Sequence, residues 1–191
     1  MTPLATDLTF VVVNWNTVDL LDGCLGSIVS HCPARLSYEI VVVDNASTDG
    51  SREHMAERWP DVKVIANDEN VGFCKANNQA IRTTLSRYIM LVNTDAILSA
   101  DCVDVMMSYM AADERAAVVG PRLQYANGAF QRWTAGQSLT LRSCAGYLLG
   151  LDRLAGRFPG IGSMYLPVDT DRSFKAGWVT SAVMLLRLYF L

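Results

Sequence analysis

The residues whose types and spacing best suit ligand chemistry follow a short apolar run at 88–92. That run is bulky, uncharged and partly β-branched, which is typical of a strand buried on both faces of a parallel sheet. Asn93 and Asp95 come next, and open α/β sheets bind ligands at the carboxyl ends of their strands. A carboxylate close to an amide oxygen predicts a site for a hard cation that carries a phosphate. Asn-Thr-Asp also suits an ordinary turn or helix cap.

Two further strand ends carry polar groups, and parallel strands would bring all three ends to one edge of the sheet. Asn14-Trp15-Asn16 follows the run at 9–13, and Asp44-Asn45 follows the run at 38–43. The Trp15 indole can stack on a flat base, Asp44 can accept a hydrogen bond from a pyrimidine ring N–H, and Asp95 with a divalent cation can hold a diphosphate. The set therefore describes a nucleoside diphosphate. Trp15 could instead belong to the core, and Asp44 could simply favour the start of a helix.

The elements that must position these groups alternate along the chain. Five strand-like runs are separated by segments of helical spacing: 9–13, 38–43, 62–65, 88–92 and 117–119. This alternation predicts an α/β fold with a mostly parallel, Rossmann-like sheet and helices on both faces. Thr17 is expected to cap the first helix, and Ser47 or Thr48 the second. After Pro121 the alternation is lost, which is typical of a functional loop or lid, until one more buried strand is predicted at 177–186.

Composition excludes several classes of protein. The 191 residues suit one domain, or one domain with a small appendage, and a net charge of −3 without a basic tract argues against nucleic-acid binding. Five scattered cysteines without a C-x-x-C pair indicate buried thiols in a reducing compartment. No run reaches the ~18 to 20 apolar residues of a membrane span, and no signal peptide is expected. These features together predict a cytoplasmic location.

Four sequence blocks resemble the family 2 glycosyltransferases, which have the GT-A fold. The blocks are Val11-Val12-Val13-Asn14-Trp15-Asn16, Val41-Val42-Val43-Asp44-Asn45-Ala46-Ser47-Thr48-Asp49-Gly50-Ser51, Asn70-Val71-Gly72-Phe73-Cys74-Lys75-Ala76-Asn77-Asn78 and Leu91-Val92-Asn93-Thr94-Asp95. Within the family, the Asn-x-Asp of the last block is most similar to the rhamnosyltransferase-like branch. That resemblance implies inverting transfer of rhamnose or a similar sugar from a dTDP- or UDP-linked donor. It also implies a bacterial polysaccharide or a lipid-linked precursor as the acceptor.

The resemblance also implies roles for individual residues. Trp15 would lie against the base, Asp44 would bond its ring N–H, and Asp95 would hold Mg²⁺ or Mn²⁺ at the diphosphate. Asn93 brings no charge to the first position of the metal motif, which predicts looser metal binding than an aspartate would give. Residues 72–78 would border the donor. The predicted nucleotide-binding residues are Asn14, Trp15, Asn16, Asp44, Asn45, Gly72, Lys75, Asn78, Asn93 and Asp95.

The sequence departs from the family pattern at its C-terminal end. Residues 178–187 match the family's Trp-x-Ser-Gly-Ala-like strand, with Ser181 where glycine is usual, but no Glu-Asp pair follows. In the family, one carboxylate of that pair deprotonates the acceptor hydroxyl, and a positioned base is typically worth ~10²–10⁴ in rate. Asp169 and Asp171 precede the strand, so no catalytic residue is assigned. The alternative function is therefore a nucleotide-sugar-binding module that transfers sugar slowly or not at all.

This departure sets the expected domain organisation. Residues 1–120 are predicted to form the donor-binding half, and residues 121–191 the start of a C-terminally truncated acceptor side. Truncation would leave apolar surface around 183–191, which predicts self-association or contact with the inner face of a membrane.

Other enzyme classes fit the sequence less well. A dehydrogenase of the Rossmann type needs G-x-G-x-x-G after its first strand, where Asn14-Trp15-Asn16 stands. A nucleotidyltransferase would want a glycine-rich loop with a basic residue at the same place. A hydrolase of the α/β class would need a G-x-S-x-G elbow, which the sequence lacks.

Overall fold

The computed structural model describes residues 6–150, 165 and 172–190. Within them the chain forms eight strands and five helices, followed by a short 3₁₀ turn at Leu188–Phe190. In chain order the elements are β1 (Leu8–Asn14), α1 (Val18–His31), β2 (Tyr38–Asp44), α2 (Ser51–Arg58), β3 (Lys63–Ala66), α3 (Phe73–Thr83), β4 (Tyr88–Asn93), α4 (Cys102–Ala112), β5 (Val118–Val119), β6 (Ala135–Gly136), α5 (Leu141–Leu148), β7 (Trp178–Val179) and β8 (Val183–Arg187).

The chain divides into two compact units. Unit 1 comprises residues 1–120 and 181–191, and unit 2 comprises residues 121–180. One boundary between the units follows Gly120, and residues 181–191 return to the first unit. Unit 2 contains β6, β7 and α5.

Unit 1 is built on a six-stranded sheet in the order β3-β2-β1-β4-β8-β5. β1 pairs in parallel with β2 and β4, and β2 pairs in parallel with β3. The sheet is therefore mostly parallel, as the sequence predicts. Its register sets Asn14 opposite Asp44 and Val13 opposite Asn93, so the carboxyl ends of the three central strands meet at one edge.

Both faces of the sheet are covered. On one face Val11, Val43 and Leu91 pack with Ala76 and Ala80 of α3. The alternate strand residues point to the other face and are buried as well: Phe10, Val12, Ile40, Val42, Met90 and Val92. Burial on both sides explains why these strands are continuous apolar runs rather than alternating ones.

The strand predicted at 177–186 is in fact two strands in two sheets. Trp178–Val179 pairs with Ala135–Gly136 in unit 2, whereas Val183–Arg187 enters the main sheet antiparallel to both β4 and β5. The small residues 180–182 separate the two strands. A continuous apolar run does not reveal which sheet it joins, because that depends on tertiary pairing.

The stretch around 183–191 is not the uncovered apolar surface that the sequence predicts. Val183, Leu185 and Leu186 are buried because β8 has a hydrogen-bonded neighbour on each side. Among the large hydrophobic side chains described in this stretch, Tyr189 is the one that is exposed. The predictions of self-association and membrane contact therefore lose the support of this segment.

Arg187 is the largest fully buried side chain described. Its Nε lies 3.0 Å from the carbonyl oxygen of Ala116, and its Nη2 donates to the carbonyl oxygens of Met110 and Asp113. These acceptors lie at and just beyond the C-terminal end of α4, where a helix leaves carbonyls unpaired and favours a cation. The guanidinium therefore joins the end of α4 to the main sheet.

No helix in the described parts of the chain is both long and apolar enough to cross a membrane.

Candidate functional site

A cleft in unit 1 lies at the carboxyl ends of the central strands. Its volume is about 330 Å³, within the usual range for small-molecule sites. Four of the predicted nucleotide-binding residues line it, namely Trp15, Asn45, Asn93 and Asp95, together with Val13, Thr17, Leu20, Asn70, Phe73 and Thr94. The edge predicted from three separate strand ends is thus a real concave surface.

Aromatic side chains form part of the cleft. Trp15 is 55% exposed, although a buried indole would be the ordinary outcome after an apolar strand. Phe73, at the start of α3, also lines the cleft and is 42% exposed. Exposed rings in a cleft leave apolar surface uncovered until a flat ligand packs against them.

Asp95 is the one carboxylate among the residues that line the cleft. It is exposed, and within the described residues it makes no hydrogen bond or ion pair. Its negative charge affects the buried Cys24. Burial, with a further contribution from the charge of Asp95, raises the pKa of the Cys24 thiol to about 12. An unpartnered carboxylate in the same cleft as Asn93 is available to a cation from solvent.

The donor set at this position fits a weakly held divalent cation. Nowhere in the described residues do three or more His, Cys, Asp or Glu side chains converge. Mg²⁺ is often held by one or two carboxylates plus substrate phosphates and water rather than by a complete protein cage. Asp95, with the neutral Asn93 beside it, matches that limited set.

Asp44 differs from the sequence expectation of a carboxylate facing a base. It has no exposed surface, and protein donors occupy both of its oxygens. Arg52 Nε donates to Oδ1 at 2.6 Å, the Ser47 backbone N–H donates to Oδ1 at 3.1 Å, and Asn14 Nδ2 donates to Oδ2 at 2.9 Å. Burial alone would raise the pKa of Asp44, but these hydrogen bonds outweigh it and the pKa is lowered.

Asn14 and Asn16 support the cleft rather than line it. Asn14 accepts a hydrogen bond from the Thr17 hydroxyl at 2.7 Å, and that hydroxyl lies 3.0 Å from the hydroxyl of Thr94 in the cleft. Asn16 accepts from the Thr48 backbone N–H at 2.8 Å. These bonds fix the ends of β1 and β2 relative to each other.

The helix caps also differ from those predicted. Thr17 precedes α1 but makes no capping bond through its side chain, and Gly50 precedes α2. Asp49 serves both helices, because its Oδ2 accepts from Val18 N at 2.9 Å and its Oδ1 accepts from Ser51 N at 3.1 Å. A shared cap of this kind depends on tertiary contact, so local sequence patterns cannot reveal it.

Asn45 holds the loop that borders the cleft. Its Nδ2 donates to Asn70 Oδ1 at 2.9 Å, and its Oδ1 accepts from Asn67 Nδ2 at 3.0 Å and from the Val71 backbone N–H at 3.2 Å. Gly72 follows with φ of 84°, a conformation that glycine adopts without strain. The loop therefore reaches α3 in a defined path.

Beyond Asn14, Asn16 and Asp44, three more residues predicted to bind nucleotide do not line the cleft. Lys75 and Asn78 are exposed on α3 but are absent from its lining, and Gly72 contributes backbone geometry instead. Asn70 and Phe73 line the cleft although they are not among the predicted residues. Both residues flank Val71-Gly72 within the block at 70–78, one of the four that resemble the family. That position was the sequence signal that could have identified them as cleft residues.

No candidate base emerges from the described residues of this cleft. Asp169 and Asp171, the last carboxylates before the Trp178 strand, lie outside the residues that the structure describes. Asp95 is the carboxylate that the cleft offers, and its place beside Asn93 suits a cation.

Comparison with curated proteins finds relatives that act on glycans. The chain is 31% identical over 98 residues to the poly(ribitol-phosphate) beta-glucosyltransferase of Bacillus spizizenii, a match that covers 49% of this chain and 16% of the relative. It is 26% identical over 143 residues to the glycosyltransferase GlyG of Streptococcus pneumoniae, covering 72% of this chain and 47% of the relative. The matches thus span less than half the length of these relatives.

Comparison with solved structures finds glycosyltransferases of the GT-A fold. The mannosyltransferase PcManGT from Pyrobaculum calidifontis, in complex with GDP-Man and Mn²⁺, superposes with a TM-score of 0.57 at 25% identity over 64% of this chain and 39% of that chain. TarS 1–349 of S. aureus superposes with a TM-score of 0.58 at 18% identity, over 87% of this chain and 52% of that chain. The expected fold class is confirmed.

The family model "Glycosyl transferase family 2" matches residues 9–166. This span contains β1 apart from its first residue, every element from α1 to α5, and every residue that lines the cleft. The chain belongs to glycosyl transferase family 2.

Proposed function

We propose that the cleft binds a nucleoside diphosphate sugar and that the chain is the donor side of an inverting glycosyltransferase. The observation that carries the proposal is the exposed, unpartnered Asp95 in the same cleft as the exposed Trp15 ring. Asp95 suits a cation with its diphosphate, and the Trp15 ring suits a base. Complexes of structural neighbours with GDP-Man and Mn²⁺ and with UDP-GlcNAc support this class of donor.

Each cleft residue has a role in this proposal. Trp15 stacks on the base, and stacking on an aromatic ring is worth about 1–3 kcal/mol per base. Asp95 holds Mg²⁺ or Mn²⁺, a cation that neutralises charge on the diphosphate leaving group. Asn93 adds a neutral oxygen donor, and Asn45 keeps the loop at 67–72 beside the donor. Asp44 can bond a base only if the protein around it opens, because the side chain has no exposed surface and already accepts three hydrogen bonds from protein donors.

We further propose dTDP-rhamnose or a UDP-sugar as donor and a glycan or lipid-linked precursor as acceptor, in the cytoplasm. The Asn-x-Asp spacing of Asn93 and Asp95 supports the rhamnosyltransferase-like branch. Relatives named as polysaccharide and teichoic-acid enzymes support a polymer or its precursor as acceptor.

The second candidate is a nucleotide-sugar-binding module without transfer activity. Among the described residues that line the cleft, the one carboxylate is Asp95, which the proposal assigns to the cation, and this favours the second candidate. Both candidates require nucleotide binding, so turnover with a defined acceptor separates them.

Calorimetric titration with UDP, dTDP and GDP, each with and without Mn²⁺, tests the proposal. We expect one nucleotide to bind in a Mn²⁺-dependent way and Asp95→Asn to abolish that dependence. Trp15→Ala should weaken affinity about tenfold at either Mn²⁺ level, since one stacked ring is lost. Asp61→Asn and Trp133→Ala change an exposed carboxylate and an exposed indole outside the cleft, and both should bind as wild type. Mn²⁺-dependent binding that survives Asp95→Asn would refute the metal assignment.

A further inference from the structure

Helix α5 in unit 2 presents its apolar residues to solvent and its small residues to the protein. Leu141, Leu148 and Leu149 are 93%, 82% and 72% exposed, whereas Ser143 and Gly146 are buried. A surface helix ordinarily turns its apolar stripe toward the core. The orientation of α5 is therefore the reverse of that expected for a helix whose only partner is its own domain.

Exposed aromatic rings extend this surface. Tyr147 of α5 is 48% exposed, and its ring centroid lies 5.7 Å from that of Tyr165. The Tyr165 ring in turn lies 5.8 Å from Trp133, which is 67% exposed and has a left-handed backbone with φ of 63°. A bulky residue in that conformation is uncommon and costs backbone strain. We call this surface the α5 patch; its exposed members are Trp133, Leu139, Leu141, Tyr147, Leu148 and Leu149.

Unit 2 carries a charge opposite to that of the rest of the chain. Residues 121–180 contain seven Lys and Arg against three Asp, a net charge of +4, whereas unit 1 contains nine against sixteen, a net charge of −7. The three acidic residues of unit 2, Asp152, Asp169 and Asp171, lie outside the residues that the structure describes. The cations at the described positions of unit 2 are Arg122, Arg132, Arg142, Arg172 and Lys175.

We propose that the α5 patch docks unit 2 onto a membrane surface that contains anionic lipids. Leucines with interfacial Trp and Tyr enter the boundary between headgroups and acyl chains, and arginines attract the negative surface. A second copy of the chain is disfavoured as the occupant, because two copies of unit 2, each with a net charge of +4, repel each other. A soluble glycan has no apolar surface of the kind that would cover three exposed leucines.

Two kinds of interaction should contribute and can be separated. Leu141 and Leu148 supply apolar area, which acts on any lipid bilayer and is insensitive to salt. Arg132 and Arg142 supply electrostatic attraction, which requires anionic lipid and weakens as salt screens it. Each arginine near an anionic surface raises the affinity of the chain for the membrane roughly fivefold. Loss of both arginines should therefore weaken binding to anionic vesicles about 30-fold.

Co-sedimentation with vesicles tests the proposal on the full chain. Vesicles of phosphatidylglycerol mixed with phosphatidylcholine are compared with phosphatidylcholine alone, at low and high salt, without nucleotide. We expect salt-sensitive binding to the anionic vesicles and at least about tenfold weaker binding for the double variant Leu141→Ser/Leu148→Ser. The double variant Arg132→Gln/Arg142→Gln should bind more weakly and show a smaller salt dependence, since Arg122, Arg172 and Lys175 remain.

Matched controls come from unit 1. Leu85→Ser changes a leucine that is 55% exposed, and Arg82→Gln changes an exposed arginine of α3. Both should bind vesicles as wild type, and circular dichroism melting should show that every variant is folded. Nucleotide titration of the same samples is a separate readout, so a failure of donor binding does not imitate a failure of docking.

Three outcomes would overturn the proposal. They are failure of the wild-type chain to bind anionic vesicles, full binding by the leucine variant, and equal binding by the arginine variant. A dimer in light scattering that disappears in the leucine variant, with no vesicle binding, would identify a second copy as the occupant instead.

Discussion

Asp44→Asn is the most informative single change at the candidate site. The side chain keeps its shape but loses its charge and one acceptor oxygen. In the wild type, Asp44 accepts from Arg52, Ser47 and Asn14 with no exposed surface. An asparagine must direct its NH₂ group either at Asn14 Nδ2 or at the Arg52 and Ser47 donors, so a donor faces a donor in either orientation.

The expected loss of stability follows from the burial of each partner. Breaking a fully buried ion pair costs about 3–5 kcal/mol because an uncompensated charge remains. Here Arg52 keeps 36% of its side chain exposed, so water relieves part of that cost. The displaced hydrogen bond to Asn14 adds about 1 kcal/mol. We expect Asp44→Asn to lower the free energy of unfolding by about 2–3 kcal/mol at pH 7.

The loss should also depend on pH with a definite sign. The pKa of Asp44 is lowered in the folded protein, since its hydrogen bonds outweigh burial. A lowered folded pKa stabilises the protein above the unfolded value, about 3.9, and this stabilisation is lost as pH falls through the folded pKa. Wild type and Asp44→Asn should therefore differ most at pH 6–7 and converge as the pH is lowered below about 4.

Urea denaturation between pH 3 and pH 7 measures this difference. Asp61→Asn removes an exposed carboxylate from the same unit and is the control, expected to stay within about 0.5 kcal/mol of wild type. If Asp44→Asn were as stable as wild type at pH 7, the buried network would not stabilise the fold. A constant difference across the pH range would mean that packing, and not the Asp44 charge, carries the effect.

Two further predictions concern the sheet and the thiols. Arg187→Met should lower the free energy of unfolding by about 2–3 kcal/mol in the same urea assay, because the carbonyls at the end of α4 lose their donor; wild-type stability would contradict that role. A thiol reagent at pH 8 should modify the exposed Cys74 first and the buried Cys24 last, since burial and Asp95 raise the pKa of Cys24 to about 12. Mass spectrometry after brief labelling identifies the order, and early modification of Cys24 would contradict its burial.

The sequence was sufficient to predict the edge of the sheet that carries the cleft. Apolar runs that end in polar residues place Trp15, Asn45, Asn93 and Asp95 at the carboxyl ends of parallel strands, and these four line one cleft. The prediction works because register in a parallel sheet follows from burial of both faces. A strand end is a local feature, and its position in the sheet follows from the alternation of strands and helices.

The direction and partners of each polar side chain were not predictable in the same way. Asp44 and Asp95 look alike in sequence, yet one is buried beside Arg52 and the other is exposed. Arg52 lies on α2, and no local rule indicates that its guanidinium turns back to the end of β2. The same limit applies to residues 178–187, where pairing partners from distant parts of the chain divide one apolar run between two sheets.

The contrast between the two carboxylates is the strongest argument for the proposed site. A carboxylate that a fold needs for its own stability is satisfied by protein donors, as Asp44 is. If a ligand replaced those donors, the carboxylate would no longer stabilise the fold. Asp95 has no such donor in the described residues, although it follows the end of β4 at the same edge of the sheet, with β1 between β4 and the strand that carries Asp44. A charge left unpaired in a cleft does nothing for folding. Its position is explained if the partner arrives from solvent with the ligand, and this is why Asp95→Asn should remove cation dependence while leaving stability unchanged.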